Sequence, residues 1–293
     1  MRIKLNEKQY YILTIVACFF IAAIIVTGAS VRVTGSGLGC PTWPKCTSDS
    51  LVPKSSESGH AFVEFANRVF TGFLSLSVIV AISASFLRQP RSKKLIWLSF
   101  GLVLGVIAQI ILGGITVLVG LHPLSVAAHM IVSLLLLSCA ILLTVSSKPN
   151  RTVNLKNLFS KSRHLVIMLL TYLVVVLGTV VTAAGPHAGD EKTPRLDVTI
   201  TSVARIHSFS AWILLLSVLY LLIFRKDQNR NLKILLAVIV IQGAWGYAQY
   251  ALDVPASMVL VHVFLATVLF VFASLYWSQA IKNQLDSQLH QDL

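Results

Sequence analysis

Residues 10–30 read YYILTIVACFFIAAIIVTGAS, a run without a single charged side chain. A helix needs about 20 apolar residues to cross the hydrocarbon core of a bilayer, so this run is long enough. Arg2, Lys4 and Lys8 precede it, as in a secretory signal peptide. The apolar core of a signal peptide has only about 7 to 15 residues, however. We therefore expect a retained transmembrane helix.

The same pattern recurs along the whole chain of 293 residues, of which 56% are hydrophobic and only 12% are charged. Soluble domains carry about 25% charged residues, so this chain cannot cover a globule in water. The further apolar runs cover 61–87, 94–118, 125–146, 164–184, 204–224, 232–250 and 257–281. The gaps between them are too short for a soluble domain. The sequence predicts an all-α integral membrane protein with eight transmembrane helices.

The net charge of +13 indicates the orientation of the chain in the membrane rather than binding to nucleic acid. A nucleic-acid surface needs clustered Lys and Arg on a solvated face, whereas here they lie in short gaps between apolar runs. The N-terminus, the loops 88–94, 147–164 and 225–233 and the C-terminal tail hold 17 of the 24 basic residues. By the positive-inside rule, both termini are expected in the cytoplasm of a bacterium, with the chain in its plasma membrane.

An internal repeat relates the two halves of the chain. A shift of 133 residues superimposes three pairs of identical residues: Gln109 on Gln242, Gly113 on Gly246 and His129 on His262. A shift of 140 sets Asn67 opposite His207, and a shift of 150 sets Gly28 on Gly178. We expect residues 1–150 and 151–293 to form two parallel, pseudo-symmetric four-helix bundles. No span has a proline in its interior, which counts against a transporter built on broken helices.

Three histidines, His129, His207 and His262, lie inside apolar runs 4, 6 and 8. Ionisable residues within a span are costly and usually functional. Each lies three to six residues past the predicted start of its helix, or about 5 to 9 Å below the outer mouth. Imidazoles at one depth can converge on a metal. The alternative is that each donates to a neighbouring carbonyl.

The kind of metal follows from the surrounding residues. Zinc or copper would need further Cys, His or carboxylate ligands nearby, and the spans of the C-terminal half offer none near these two histidines. Two axial histidines on a porphyrin iron need no other protein ligand. His207 and His262 therefore predict a haem-binding bundle. Arg205, near the mouth of the same helix, can pair with a haem propionate or simply extend its charged end to the membrane surface.

The start of helix 2 places His60, Glu64 and Asn67 on one face, at spacings of four and three residues. Glu64 is the acid that lies plainly inside a predicted span, where an acid costs about 2.5 to 3.5 kcal/mol. It therefore needs a role in chemistry or a partner. The alternative to a catalytic role is an ion pair with Arg68, four residues on.

Residues 34–46 read TGSGLGCPTWPKC, and together with the features above they resemble a known family. With eight spans in two halves, the acid on helix 2 and the histidines on helices 4, 6 and 8, nearly the whole chain resembles the heme A synthase family. The Gly-Cys-Pro-x-Trp-Pro-x-Cys motif is its most specific part. The resemblance implies an oxidoreductase that converts the C8 methyl of heme O into the formyl group of heme A, using a resident haem b.

The resemblance also implies roles for individual residues. His207 and His262 would ligate haem b in the C-terminal half. The N-terminal half would hold the substrate or product haem, with His129 as ligand, Asn67 and Arg68 beside it, and Glu64 in the chemistry. The implied partners are heme O, heme A, a heme O synthase and an oxidase-assembly or electron-donor protein. No nucleic acid is expected, and the oligomeric state is left open.

In two respects the chain departs from the family pattern. Many members have Glu-x-x-His on helix 2, whereas this chain has Glu64-Phe-Ala-Asn67. Either the iron at this site keeps an open position, or His60 serves as a ligand. Some members carry a second cysteine pair in the third outer loop, and residues 185–203 contain no cysteine.

Cys40 and Cys46 lie on the predicted outer side, where disulfides are permitted. Their spacing fits a small loop disulfide and differs from the redox motif Cys-x-x-Cys. The disulfide would be structural, or it would exchange with a haem-delivery or redox partner.

Two other functions remain open at this point. A b-type cytochrome that only passes electrons, for instance from quinol, predicts two symmetric bis-histidine sites, and Asn67 argues against it. A haem transfer protein or chaperone would bind haem and leave it unchanged.

Overall fold

The computed structural model describes residues 4–54, 59–151, 154–159 and 162–281. Within these ranges, eight helices are long and apolar enough to cross a membrane, which confirms the predicted all-α membrane fold. They are α1 (Glu7–Val33), α2 (Gly59–Leu87), α3 (Lys93–Leu118), α4 (Pro123–Ser146), α5 (Ser162–Ala184), α6 (Ile200–Ile223), α7 (Arg230–Ala251) and α8 (Ala256–Trp277). Short 3₁₀ turns cover Leu155–Leu158 and Ser278–Ile281. The far end of the predicted cytoplasmic tail, 282–293, lies outside the described residues.

The helices begin slightly before the predicted apolar runs, because a helix continues past the end of its apolar segment. The largest difference is at α6, which starts at Ile200 rather than at 204. Its first turn contains Thr201 and Ser202, which apolarity alone does not mark as part of a span. At the start of α1, Asn6 and Gln9 form a reciprocal capping box, which satisfies backbone donors that a helix start leaves free.

Each half of the chain is a ring of four helices. In the first half α1 packs on α2, α2 on α3, α3 on α4 and α4 on α1, and α5 to α8 pack in the same cyclic order. The halves meet where α1 and α4 contact α8 and where α4 contacts α5. The pseudo-symmetry axis itself, and the division of function between the halves, stay predictions.

Polar pairs tie the helices together at the end of the bundle that holds the N-terminus. Glu7 forms an ion pair with Arg88 at 2.7 Å, and Thr14 Oγ1 lies 2.8 Å from Ser147 Oγ in a fully buried position. The Leu5 backbone pairs with the residues that end α2. Thr14 and Ser147 are buried away from water, so their hydroxyls must satisfy one another.

At the opposite end, the loop that follows α1 folds over the start of α2. Gly39 packs directly on the α2 backbone: a Cβ there would lie 2.6 Å from Ala61 N and closer still to the His60 carbonyl. The Gly37 N–H donates to the Gly189 carbonyl in the loop between α5 and α6, at 2.9 Å. The loop thus contacts both halves.

We expect Gly39→Ala to destabilise the protein by about 1 to 3 kcal/mol, because backbone atoms cannot move aside as a side chain can. Unfolding in mixed micelles with increasing SDS measures the loss. Gly59→Ala is the matched control, since nothing lies within 4 Å of its added Cβ. Equal stability of the two variants would contradict the close approach of Gly39.

Candidate functional site

The structure brings two of the predicted histidines together in the C-terminal half. The ring centres of His207 on α6 and His262 on α8 lie 6.3 Å apart, with an angle of 65° between the ring planes. His207 is the eighth residue of α6, and His262 is the seventh of α8. Both therefore lie at nearly the same depth, slightly farther from their helix starts than the sequence predicted because both helices start earlier.

A glycine of a neighbouring helix lies against each imidazole. A Cβ on Gly178 of α5 would come within 3.2 Å of His207 Cε1, and one on Gly246 of α7 within 3.0 Å of His262 Cε1. These distances are tighter than ordinary van der Waals contact, so a larger residue would push the rings. Glycine at both positions lets α5 and α7 approach the rings closely.

The hydrogen bond of His207 sets its tautomer. Its Nδ1 donates to the Val174 carbonyl of α5 at 3.0 Å. A neutral imidazole with a proton on Nδ1 keeps a lone pair on Nε2, which is the form that binds a metal. His262 Nδ1 is buried and has no partner in the described part of the chain. Its backbone carbonyl accepts from Gln242 Nε2 at 3.1 Å.

The separation of the two rings fits a metal ion between them. A metal to imidazole bond is about 2 Å long, and a ring centre lies about 1 Å behind its nitrogen, so opposed ligands have ring centres about 6 Å apart. Among the described residues, no group of three or more His, Cys, Asp or Glu side chains could hold a metal ion. Two imidazoles alone suit an iron whose remaining ligands come from a porphyrin.

The N-terminal half reproduces the surroundings of His262 around His129. Gln109 Nε2 donates to the His129 carbonyl at 3.1 Å, as Gln242 does for His262. A Cβ on Gly113 of α3 would contact His129 Cε1 at 3.5 Å. His129 Nδ1 is also buried without a partner among the described residues. The residues that the sequence shift paired therefore make equivalent contacts.

The halves differ opposite His129. Asn67 of α2 occupies the repeat position of His207, and its Oδ1 is buried with no partner in the described ranges. Gly28 of α1 corresponds to Gly178, yet a Cβ on Gly28 would meet nothing within 4 Å. The shorter Asn67 side chain therefore leaves α1 without the ring contact that α5 has. His60 is exposed, and its Nδ1 lies 2.9 Å from Ser36 Oγ.

Glu64 is 6% exposed and forms the ion pair that was the alternative to a catalytic role. Its Oε1 lies 2.6 Å from Arg68 Nη2, and its Oε2 accepts from the Cys40 N–H at 2.7 Å. Arg68 also donates to the carbonyls of Cys40, Thr42, Pro44 and Lys45. The pair thus binds the outer loop to α2, which satisfies a carboxylate that would be costly if buried alone.

The predicted disulfide is present between Cys40 and Cys46, and both cysteines are fully buried. Between them, the indole of Trp43 lies on Gly114 of α3, where a Cβ would come within 2.7 Å of the ring. Gly114 follows Gly113, which contacts His129. The disulfide loop therefore covers α3 at Gly114, directly next to the glycine that lies against His129. The sequence motif contained Trp43, but gave no indication of which helix it contacts.

Two arginines at the histidine end of the bundle, Arg205 and Arg32, differ in their surroundings. Arg205 is exposed, and it lies two residues before His207, so the two side chains leave α6 on different faces. Arg32, which the sequence analysis did not single out, ends α1 with its Nε buried and unpartnered within the described residues. The sequence does mark Arg32, as a single arginine at the end of an apolar run on the outer side, which is predicted to carry few basic residues.

Comparisons with known proteins agree with this arrangement. A model of the family described as cytochrome oxidase assembly protein, COX15-CtaA, matches residues 11–274. A heme A synthase of Listeria monocytogenes is 26% identical, with 95% of this chain and 97% of the relative covered. One of Alkalihalophilus pseudofirmus is 23% identical, covering 90% and 95%. One of Lysinibacillus sphaericus is 30% identical over about half of each chain, 54% and 53%.

The family match spans six complete helices, α2 to α7, and most of α1 and α8. It therefore covers the histidine pair, His129, Glu64 and the disulfide loop together. The chain is a multi-pass membrane protein that belongs to the COX15-CtaA family of cytochrome oxidase assembly proteins, the heme A synthase family.

Proposed function

We propose that this protein is a heme A synthase, an oxidoreductase that converts the C8 methyl of heme O into the formyl group of heme A by successive hydroxylations. The observation that carries the proposal is the difference between the halves. His207 and His262 form a complete pair, whereas the repeat position opposite His129 holds Asn67. A cytochrome that only transfers electrons would have a complete histidine pair in each half. An enzyme that oxidises haem instead needs one site for electron transfer and a different site for the substrate.

In the C-terminal half, 151–293, we propose that His207 and His262 would hold haem b. When bound, this haem supplies electrons to the reaction. The Val174 carbonyl fixes the His207 tautomer through its hydrogen bond, and Gly178 and Gly246 allow both rings their positions. Arg205, exposed near the mouth of α6, is proposed to meet a haem propionate from outside the helix bundle.

In the N-terminal half, 1–150, we propose that His129 binds the substrate or product haem. Asn67 presents a buried oxygen that has no partner among the described residues, and Trp43 covers the neighbouring part of α3. Glu64 is proposed to assist proton movement or charge stabilisation at this site. Arg68 and the Cys40 N–H fix the position of its carboxylate. His60, held by Ser36, is the remaining candidate for a second ligand.

The distribution of basic residues supports an orientation and a location for the protein. We propose that both termini face the cytoplasm of a bacterium and that the histidines lie beneath the outer face of the plasma membrane. The partners would be an enzyme that supplies heme O, an electron donor and an oxidase-assembly protein. The buried position of Cys40 and Cys46 favours a structural disulfide over an exchanging one.

The proposed reaction can be tested in cells that make heme O but lack their own synthase. Expression of this protein should convert heme O into heme A, seen by chromatography of the extracted pigments. Persistence of heme O alone, in the presence of folded protein with a haem b spectrum, would favour a cytochrome or haem carrier and overturn the enzyme.

We expect His207→Ala and His262→Ala each to abolish the low-spin haem b spectrum of the purified protein, because each removes one of two axial ligands. His129→Ala is the matched control in the other half and should retain that spectrum. Visible spectra with pyridine-haem quantitation make the measurement. An intact haem b spectrum in either C-terminal variant would contradict the assignment.

We expect Glu64→Gln to lower heme A formation by about 100-fold or more, the usual size of a general acid or base effect, and to keep the haem b spectrum. The glutamine retains an oxygen for the Cys40 N–H, so the loop should stay in place. Resistance of the loop to proteolysis checks this. A variant with an intact loop and undiminished product formation would show that Glu64 only holds the loop.

A further inference from the structure

A cleft lies far from His129, His207 and His262, between the first turn of α5 and the last turns of α6. Its volume is about 570 Å³, within the range of about 300 to 1,000 Å³ that is usual for sites of small ligands. The polar lining comes mainly from Arg163 of α5, Tyr220 of α6 and Arg225, which follows α6. By the charge distribution, this end of the bundle faces the cytoplasm.

The cleft has an excess of positive charge. Arg225 is exposed, and no hydrogen bond or ion pair of its side chain is found in the described part of the chain. Arg163 is 49% exposed and lies 3.7 Å from Asp227, too far for a hydrogen bond. Asp227 is also engaged by the Tyr276 hydroxyl at 2.8 Å. One carboxylate, shared in this way, leaves the two arginines able to bind an anion.

The backbone adds to this preference. The N-terminal end of α5, at Ser162 and Arg163, forms part of the lining. A helix of 23 residues carries about half a positive charge at this end, which favours a nearby anion. The Ser217 hydroxyl donates to the Ile213 carbonyl, so the two arginines, Tyr220 and Ser162 are the side chains of the lining that can donate to a ligand.

Apolar surface adjoins the charged lining. Phe224 is 74% exposed and Ile223 60%, and Val166, which lines the cleft itself, is 47% exposed. On helices long enough to span a membrane, such side chains face lipid tails. A ligand in this cleft therefore meets cations at its head and hydrocarbon beside it, which describes an amphiphile better than a soluble anion.

From these features we propose that the cleft binds an anionic glycerophospholipid of the inner leaflet, with its phosphate between Arg163 and Arg225 and its acyl chains along Val166 and Phe224. Basic pockets between transmembrane helices on the cytoplasmic side are suited to such headgroups. This site is separate from the proposed haem chemistry, and the proposal does not depend on that chemistry.

The test uses the full chain in nanodiscs, with phosphatidylglycerol as the anionic lipid and phosphatidylcholine as the neutral one. Native mass spectrometry after release from the nanodiscs counts the retained lipids. We expect phosphatidylglycerol to be retained by the unchanged protein, and Arg225→Gln to bind it about fivefold to tenfold more weakly, since one arginine near the surface contributes about 1 kcal/mol. A double variant with Arg163→Gln should bind it more weakly still.

Arg91→Gln is the matched control, because Arg91 is an exposed arginine at the same end of the bundle but between α2 and α3. It removes the same charge and should leave retention unchanged. Equal loss in this control would indicate a general charge effect and overturn the proposed site. Equal retention of phosphatidylcholine and phosphatidylglycerol by the unchanged protein would also overturn it. A third arm adds inorganic phosphate: displacement of the lipid by millimolar phosphate would identify a soluble-anion site instead.

Discussion

The absence of water inside a bilayer is the constraint on which the rest of this structure depends. A polar side chain there must find a partner within the protein or bind a ligand. Most do so here: Thr14 bonds to Ser147, and Glu64 bonds to Arg68 and the Cys40 N–H. The buried nitrogens of His129 and His262 and the Asn67 oxygen are exceptions among the described residues, and they lie where the proposed function needs them.

The same constraint explains why small residues matter in this molecule. Helices approach closely only where a side chain is absent, and Gly178 and Gly246 are the positions where α5 and α7 meet the histidine rings. Gly39 plays a corresponding part outside the spans, where the loop lies on the α2 backbone. The spacing of the two imidazole rings thus depends on glycines on one pair of helices and on histidines on the other.

The two halves share a plan but have different ligands. Gln109 and Gln242 make the same hydrogen bond, each to the carbonyl of a histidine 20 residues later on the next helix, His129 or His262. Only the second half adds an imidazole opposite. In the proposed function, the second half would hold haem b between two imidazoles, and the first half, with one imidazole, would leave room for substrate to enter and product to leave.

The sequence by itself determined the eight spans, the three intramembrane histidines, the repeat and the cysteine pair, because apolar run length, the cost of buried polar groups and residue identity at fixed shifts can be read without knowing which residues touch. It did not decide between a catalytic Glu64 and an ion pair with Arg68. The tertiary structure shows the ion pair, and it also shows Trp43 against Gly114, the Arg32 Nε without a partner among the described residues, and the cleft between α5 and α6. These features depend on residues that are distant in the chain coming into contact, and the packing of one helix against another is what decides those contacts.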